Sequence, residues 1–308
     1  MRIGIFGRTN MLLNTARALK AAGNDIPLIW TCGSDEYYSG TPDDYEGLAT
    51  EYGATYRRRL PAKTEEFIDI VLTHQLDIGI SINWLTLMSK EMIEAFPHRI
   101  LNAHAGDLPR YRGNAAANWA ILAGEPHIGL CIHEMTPDLD AGPVYLREHL
   151  PLSPGVYIGD VYDWLDARAP EMFATAISNI RAGTQPTPQD LSVRTVRGYP
   201  RKPEDSKIAW SLPTTAIHRL IRASSKPFQG AFSFLEDGQL VSIWRAEPYD
   251  DGEDFRAVPG QVCFAVQGDP VIATGDGMIR LTEIEIAGSS HDKAKRQVLH
   301  SLRNRLIG

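Results

Sequence analysis

The N-terminal part of the chain alternates short apolar runs with segments of helical periodicity. Met1–Phe6 and Ile26–Thr31 have the composition of buried strands, and Met11–Ala22 between them repeats apolar residues at helical spacing. Gly23 is a suitable residue to end that helix. A strand, a helix and a second strand in this order favour a parallel sheet covered by helices.

The same pattern continues along the chain. It predicts the helices Thr64–His74, Ser89–Phe96, Asn114–Ala123 and Ile158–Ala182, the last interrupted at Pro170, and the strands Leu76–Ile82, Arg99–Ala103, Ile128–Met135 and Pro143–Leu152. We therefore predict an α/β domain over residues 1–183, with a Rossmann-like, mostly parallel sheet and helices on both faces. The first turn contains Gly4 and Gly7 but no Gly-x-Gly-x-x-Gly, which disfavours an NAD-binding oxidoreductase.

The C-terminal part has a different pattern. Residues 184–205 are rich in proline and lack periodicity, which is typical of a linker. Residues 206–308 then predict a helix at Thr214–Ser224 and a terminal, basic amphipathic helix at His291–Leu306. Between them lie five predicted strands, Phe232–Leu235, Gln239–Ala246, Gly260–Val266, Val271–Thr274 and Met278–Ile286. Short strands separated by turn residues predict a small β-barrel domain.

Composition narrows the class of protein. The chain has 308 residues, of which 43% are hydrophobic and 22% charged, as in a soluble globular protein of two domains. A net charge of -7 disfavours a general nucleic-acid binder. Cys32, Cys131 and Cys263 are scattered, so we predict neither disulfides nor a metal site. Without a signal-like segment or a long apolar run, we expect a cytoplasmic protein with no membrane span.

Three polar residues stand out as candidate catalytic groups. Asn102 and His104 are two positions apart at the end of a predicted strand, so both side chains should project from one face. Asp140 lies in a loop bounded by proline and glycine, from which a carboxylate can point into the same cleft. An amide, an imidazole and a carboxylate in one cleft suit acyl-type transfer.

The surrounding motifs resemble a known family. Asn102-Ala103-His104, Leu108-Pro109, Arg112-Gly113 and Leu139-Asp140-Ala141-Gly142 are similar to the signature of 10-formyltetrahydrofolate-dependent formyltransferases. That family includes methionyl-tRNA formyltransferase and the sugar-nucleotide N-formyltransferases, and the resemblance is closest to the latter, such as the UDP-aminoarabinose formyltransferase domain. Lys226–Phe232 and Ala273–Gly277 resemble the OB-type barrel that follows the catalytic domain in both. Family members often have Ser-Leu-Leu-Pro where this chain has Gly106-Asp107-Leu108-Pro109, so the resemblance assigns no role to Asp107.

The resemblance implies a cofactor and a mechanism. The cofactor is 10-formyltetrahydrofolate, and the residues expected to bind it are Asn83, Trp84, Leu85, Met135 and Asp138. The substrate amine would attack the formyl carbon while Asn102 and protonated His104 stabilise the oxyanion. Asp140 would polarise His104 and help to accept the amine proton.

The sequence motifs specify the acceptor less closely than the cofactor. Arg110, Tyr111 and Arg112 form a basic turn expected to bind an anionic group, although the arginines could pair with surface acids instead. The predicted loop Gly33–Gly47 has no Lys or Arg and carries the acids Asp35, Glu36, Asp43, Asp44 and Glu46. The matching region of the methionyl-tRNA enzymes is a basic loop that contacts tRNA, and acids there repel phosphates. The compact basic run Arg57–Arg59 is interpreted as a solvated strand edge.

These observations favour a small-molecule amine as acceptor, in particular a nucleotide-linked amino sugar, with no nucleic-acid or membrane partner. Initiator methionyl-tRNA, which the barrel would suit, and an amino-acid-derived amine such as hydroxyornithine are the alternatives. A further alternative is that the chain is a catalytically inactive binding module with the same fold. The presence of Asn102, His104 and Asp140 disfavours this alternative. A homodimer is left open.

Overall fold

The computed structural model describes residues 1–33, 40–61, 63–301 and 303–308, and the chain divides into two compact units. The first unit consists of Met1–Ala116, His127–Pro151 and Tyr162–Tyr199, and the second of Ala117–Pro126, Leu152–Val161 and Pro200–Gly308. The domain boundaries at residues 183 and 206 stay a prediction. Among the described residues, no helix combines the length and the apolar composition that crossing a membrane requires.

The first unit is built on a seven-stranded sheet. Its part of the chain contains the strands β1 (Arg2–Gly7), β2 (Asp25–Thr31), β3 (Thr55–Arg57), β4 (Ile78–Ile82), β5 (Ile100–His104), β6 (Tyr111–Gly113), β7 (His127–Glu134), β8 (Val144–Pro151) and β9 (Val196–Gly198). The order in the sheet is β3-β2-β1-β4-β5-β7-β8, and β6 pairs separately with β9. β1 to β5 are mutually parallel, and β7 runs antiparallel to both of its neighbours, β5 and β8. The predicted α/β fold with a mostly parallel sheet is confirmed.

Helices connect most of these strands. They are α1 (Asn10–Ala21), α2 (Pro42–Tyr52), α3 (Thr64–Thr73), α4 (Lys90–Glu94), α5 (Ala116–Ala123) and α6 (Ile158–Arg181). The sequence did not predict α2, which occupies part of the predicted loop; Asp35 and Glu36 lie outside the described residues. Thr41 is the N-cap of α2, and it forms a capping box with Asp44, so Asp44 lies in the first turn of a helix.

The predicted interruption of α6 at Pro170 is wrong, because the helix continues through it. Proline removes one backbone hydrogen bond from a helix interior. Ala169, Met172 and Phe173 on either side of Pro170 are buried, and their packing offsets that loss.

An aromatic cluster packs against the sheet near the ends of β1, β2 and β4. Phe6 of β1 contacts Phe67 at a centroid distance of 5.1 Å, and Trp30 stacks on Phe67 at 5.5 Å. Trp84, just beyond β4, lies edge-on to both Phe6 and Trp30 at 6.3 Å. Close packing of large rings leaves little room for movement. The carboxyl end of β4 is therefore fixed next to that of β5.

The second unit contains a five-stranded antiparallel sheet. Its elements are a short 3-10 helix (Pro203–Ser206), the helices α7 (Thr214–Ser224) and α8 (His291–Val298), and the strands β10 (Ala231–Phe234), β11 (Leu240–Tyr249), β12 (Val262–Val266), β13 (Asp269–Ala273) and β14 (Met278–Ile286). The strand order is β10-β11-β14-β13-β12. The predicted small β domain is confirmed, and its assignment to the OB type stays a prediction.

The terminal helix is shorter than predicted. α8 ends at Val298, and the residues after it bond to the sheet instead. Ile307 forms an antiparallel bridge with Phe234 of β10, and Arg305 forms one with Gln261, next to β12. This pairing satisfies the backbone N–H and C=O groups of the terminal residues as a helix would. It also covers both edge strands of the sheet.

Candidate active site

Two adjacent strands bring four polar side chains to one face of the sheet. Asn102 lies directly opposite His133 in the antiparallel pair of β5 and β7, and His104 lies opposite Cys131. Residues two apart on a strand share a face, so Asn102, His104, Cys131 and His133 all project the same way. Asn102 and His104 therefore share a face, as predicted, and His133 of the neighbouring strand lies on the same face.

Asp140 reaches this face from the loop after β7. Its backbone has a left-handed φ of 52°, and its Oδ2 accepts a hydrogen bond of 2.8 Å from the backbone N–H of Gly113. The side chain of Gln189 donates to the carbonyls of Asp140 and Gly142 at 2.9 and 2.6 Å. A Cβ at Gly142 would lie 1.9 Å from the Glu134 carbonyl oxygen, so only glycine allows the loop to approach β7 this closely.

His104 has a partner for each ring nitrogen. Its Nε2 lies 2.7 Å from the carbonyl oxygen of Tyr111, which can only accept, so Nε2 carries the hydrogen. Its Nδ1 lies 3.6 Å from Oδ2 of Asp140. An imidazolium here would direct one N–H at each oxygen. A Cβ at Gly106 would lie 2.4 Å from Nε2 of His104, so the glycine provides the space for the ring.

The tautomer of His133 is fixed by its surroundings. Its Nδ1 lies 2.8 Å from the carbonyl oxygen of Glu134 and must donate to it. The side chain is 2% exposed, and burial, together with the neighbouring His104, holds the pKa of His133 well below its usual value. His133 is therefore neutral at neutral pH, and its Nε2 is an acceptor.

This tautomer sets the orientation of Asn102. The Asn102 amide nitrogen lies 3.3 Å from Nε2 of His133, so the NH2 end of the amide must face the imidazole. One N–H bonds to His133 and the second remains for another acceptor. Oδ1 of Asp140 is 3.8 Å from the same Nε2, which joins the four groups into one cluster.

The predicted substrate turn has two different parts. Tyr111 is 3% exposed, so its ring cannot contact a substrate from the surface; its carbonyl holds His104 instead. Arg110 is exposed, with its guanidinium 5.4 Å from the Tyr111 ring. Arg112 donates to Gln189 at 3.3 Å, whereas its buried Nε has no hydrogen-bond partner among the described residues. Its positive charge also lowers the pKa of His133, which places it near the cluster.

A segment predicted as linker completes this turn. β6 pairs in parallel with β9, with Arg112 opposite Arg197. The backbone N–H of Asn114 also donates to the Gly198 carbonyl at 3.0 Å. The part of the predicted linker that contains Gln189 and β9 therefore belongs to the first unit and holds both the turn and the Asp140 loop.

The residues expected to bind the cofactor lie around the ends of β4 and β7. Asn83 has a left-handed φ of 53°, and its carbonyl accepts a bond of 3.3 Å from Arg8. Trp84 and Met135 both pack against the aromatic cluster. Leu85 is 49% exposed, and Asp138, also exposed, accepts a bond of 2.9 Å from Thr136 through its carbonyl. One side of Trp84 thus packs against the core, and the other side lies next to the exposed apolar residues that follow β4.

Sequence reasoning missed two residues of this cluster. His133 was not among the candidate residues, although the strand parity of β7 could have indicated its face once the pairing with β5 was known. Gln189 lies in a stretch without periodicity, and nothing in the local sequence indicates that it bonds to the Asp140 loop.

Comparisons with known proteins identify the family to which the chain is similar. Residues 35–177 match the family model for formyl transferase, and residues 201–297 match that for the formyl transferase C-terminal domain. The methionyl-tRNA formyltransferase of Heliobacterium modesticaldum is 28% identical over 299 residues, covering 94% of this chain and 93% of that protein. That of Sorangium cellulosum is 30% identical over 241 residues, 78% of this chain and 76% of that protein.

A solved structure shares the fold. The N-formyltransferase from Helicobacter canadensis, in complex with folinic acid and dTDP-3-aminofucose, superposes with a TM-score of 0.64 at 17% identity, covering 91% of this chain and 98% of that chain. At this identity the likeness establishes the fold alone.

Proposed function

Because the chain belongs to the formyltransferase family, we propose that it transfers a formyl group from 10-formyltetrahydrofolate to the amine of a small anionic molecule, in particular a nucleotide-linked amino sugar. The observation that carries this proposal is the cluster of Asn102, His104 and Asp140, in which each side chain has a partner that fixes its orientation. Orientation before the substrate arrives is what group transfer requires of such donors.

The apolar end of β4 fits the folate. Leu85 and Leu87 are 49% and 75% exposed, and Trp84 borders them. Exposed apolar side chains next to a strand end provide a surface for a flat heterocycle. Asn83, Trp84, Leu85, Met135 and Asp138 would hold this group, which supplies the formyl carbon that the amine attacks.

The side chains of the cluster then divide the chemistry. Asn102 has a second amide N–H, which would stabilise the negative charge that develops on the formyl oxygen. His104 would donate its Nε2–H to the same oxygen in place of the Tyr111 carbonyl, and Asp140 would balance the charge of its imidazolium through Nδ1. Asp140 is 11% exposed, so it also accepts the amine proton in a site from which most water is excluded.

Arg112 supports an anionic acceptor. Its guanidinium lies near the cluster, and its Nε has no partner among the described residues. A buried donor without a partner is costly, and a phosphate or carboxylate oxygen would satisfy it. A nucleotide sugar requires one or two such cations, whereas a tRNA stem requires several.

The ion pairs of the basic run Arg57–Arg59 also bear on the choice between a nucleotide sugar and a tRNA as acceptor. Arg58 pairs with Asp43 at 3.1 Å, and Arg59 pairs with Glu66 at 2.5 Å. Two of the three arginines in the basic run therefore already face carboxylates. They offer little unpaired positive charge to a polyanion, which agrees with a small acceptor.

Initiator methionyl-tRNA is the second candidate acceptor. It is favoured by the relatives from Heliobacterium modesticaldum and Sorangium cellulosum, both of which are methionyl-tRNA formyltransferases. The capping role of Asp44 also reduces the number of acids free to repel a phosphate.

A panel of acceptors tests the proposal. We would incubate the protein with 10-formyltetrahydrofolate and either UDP-linked or dTDP-linked amino sugars, hydroxyornithine or initiator methionyl-tRNA, and follow the release of tetrahydrofolate. We expect saturable turnover with an amino-sugar nucleotide and none with the tRNA. Efficient tRNA formylation that weakens with added salt would overturn the choice of acceptor, and no turnover with any amine would count against formyl transfer itself.

Variants at the turn provide the matched comparison. Arg112→Gln should raise KM for the nucleotide sugar about tenfold or more, since it removes a charge-assisted hydrogen bond. Arg110→Gln, on the exposed side of the same turn, should change KM much less. Equal effects of the two substitutions would remove Arg112 from the acceptor site.

A further inference from the structure

We propose that Asp107, His127 and His149 form a binding site for a divalent transition metal of the Zn²⁺ type. Nε2 of His149 lies 3.1 Å from Oδ1 of Asp107, and Nε2 of His127 lies 3.4 Å from Oδ2. All three ligand atoms lie within 4.8 Å of one another. The donor set is two imidazoles and one carboxylate, which Zn²⁺ and neighbouring metals accept.

The separations suit a metal at the centre. Zn–N and Zn–O bonds of about 2.0–2.1 Å at tetrahedral angles place neighbouring ligand atoms about 3.3 Å apart. The two measured separations, 3.1 Å to Oδ1 and 3.4 Å to Oδ2 of the same carboxylate, lie close to that value. A metal could therefore lie among these atoms after a small adjustment of the side chains. Each neutral imidazole would bind it through the Nε2 lone pair and carry its hydrogen on Nδ1, and water would fill the remaining coordination positions.

The sheet presents the histidines together. His149 on β8 lies opposite Gly129 of β7, two positions from His127, so the histidines are diagonal neighbours on one face. Their rings are 4.6 Å apart and nearly perpendicular. Both side chains are about two-fifths exposed, so a metal can enter from solvent while the sheet fixes the backbones.

The Asp107 carboxylate is already surrounded by donor groups. Its Oδ1 faces Nε2 of His149 and its Oδ2 faces Nε2 of His127, so both oxygens point at the two candidate imidazole ligands. Arg147 approaches Oδ1 to 3.6 Å and donates to the Leu108 carbonyl, so it orients the carboxylate as an outer partner.

The position of Asp107 indicates what the metal would stabilise. The Asp107 carbonyl accepts bonds from the N–H groups of Arg110 and Tyr111 at 2.9 and 3.1 Å. It therefore shapes the turn that presents the Tyr111 carbonyl to His104. A metal that ties Asp107 to β7 and β8 would hold this turn against the sheet, a structural role outside the catalytic cluster.

Metal titration tests the proposal directly. Untagged, full-length protein would be freed of metal by chelator dialysis and titrated with Zn²⁺ in competition with a chromophoric chelator, and with Co²⁺ in the visible range. We expect one equivalent to bind with N/O-type Co²⁺ bands and no sulfur-to-cobalt charge-transfer band, and Zn²⁺ to raise the melting temperature. The absent sulfur band separates this site from binding at the cysteines.

Ligand variants identify the site. His127→Ala and His149→Ala should each weaken Zn²⁺ binding by more than about 10²-fold, since even outer partners of a metal contribute 10–100-fold. The exposed His98 provides the matched control, and His98→Ala should leave binding unchanged. Absence of stoichiometric binding to the wild-type protein, or unchanged binding in both ligand variants, would show that the three residues form only a hydrogen-bonded cluster.

Discussion

The side-chain amide nitrogen of Asn102 lies 3.3 Å from Nε2 of His133, a residue 31 positions further along the chain. The Glu134 carbonyl keeps the hydrogen of His133 on Nδ1, so the imidazole can only accept from the amide. A backbone carbonyl thus determines, through one histidine, which end of the Asn102 side chain faces the cluster. His133 is on these grounds a positioning residue.

Substitutions of His133 should distinguish its hydrogen bond to Asn102 from its contribution to packing. His133→Phe removes the acceptor, so Asn102 can rotate and kcat should fall by about 10²-fold, the cost typical of a misplaced catalytic group. His133→Gln keeps an acceptor oxygen and should recover part of that loss. Steady-state kinetics would give both values. Equal losses in the two variants, at equal stability, would mean that His133 contributes packing alone.

His104→Ala and Asp140→Asn should each reduce kcat by about 10²–10³-fold, since each removes a group that moves or balances the transferred proton. Folate binding should change much less, because neither side chain lies among Asn83, Trp84 and Leu85 at the end of β4. Turnover and the Kd for a folate analogue would be measured on the same preparations. Near-normal turnover in both variants would place the active site elsewhere.

Buried neutral histidines should make the protein less stable in acid. Burial lowers the pKa of His218 to about 4, from 6.5 in the unfolded chain. Between these values the unfolded state binds a proton that the folded state does not, so the free energy of unfolding decreases as pH falls from about 6.5 to 4. Urea unfolding of the wild type and of His218→Gln at pH 7 and pH 5 would measure this. The variant should lose less stability than the wild type, and equal losses would rule out His218 as a source.

The sequence predicted those parts of the site that depend on local pattern. The parity of β5 placed Asn102 and His104 on one face, and the glycine-bounded loop after β7 did bring Asp140 to them. Partners that depend on pairing distant segments could not be predicted. To predict the role of His133, one would need the register of β5 with β7. To predict that of Gln189, one would need the hydrogen bonds between a segment without regular secondary structure and the Asp140 loop.

Other differences between the expected and the observed local structure have related physical causes. Composition predicted a solvated acidic loop at Gly33–Gly47, yet Thr41 and Asp44 begin a helix from Pro42, because acidic residues are also favourable in the first turn of a helix. Absence of periodicity predicted a linker where the short strand β9 pairs with β6.

Leu85→Ala should weaken folate binding without destabilising the protein. Leu85 is 49% exposed, so its loss costs the free protein little, whereas a bound heterocycle would lose the apolar contact, about 1–2 kcal/mol or roughly tenfold in Kd. Fluorescence titration with a folate analogue would measure the change. Leu72→Ala, at 61% exposure on α3, provides the control and should leave Kd unchanged. An unchanged Kd in both variants would place the pterin away from the end of β4.

The last prediction concerns a buried ion cluster in the second unit. Asp269 of β13 is 6% exposed, and its two oxygens face Arg280 of β14 at 2.5 Å and Lys295 of α8 at 2.6 Å. Asp269→Asn would leave two largely buried cations opposite a neutral amide, which should destabilise this unit by about 3 kcal/mol. Hydrogen exchange in β13, β14 and α8 would measure the loss where it occurs, since two units need not unfold together.

The pair of Arg245 and Glu283 provides the control. These side chains approach only to 3.9 Å, and both are more than two-fifths exposed, so solvent screens their attraction. Glu283→Gln should therefore change stability by no more than about 1 kcal/mol. If Asp269→Asn proved no more costly than this surface substitution, the desolvation of the three charges would already cancel their attraction, and packing rather than charge would hold α8 against the sheet.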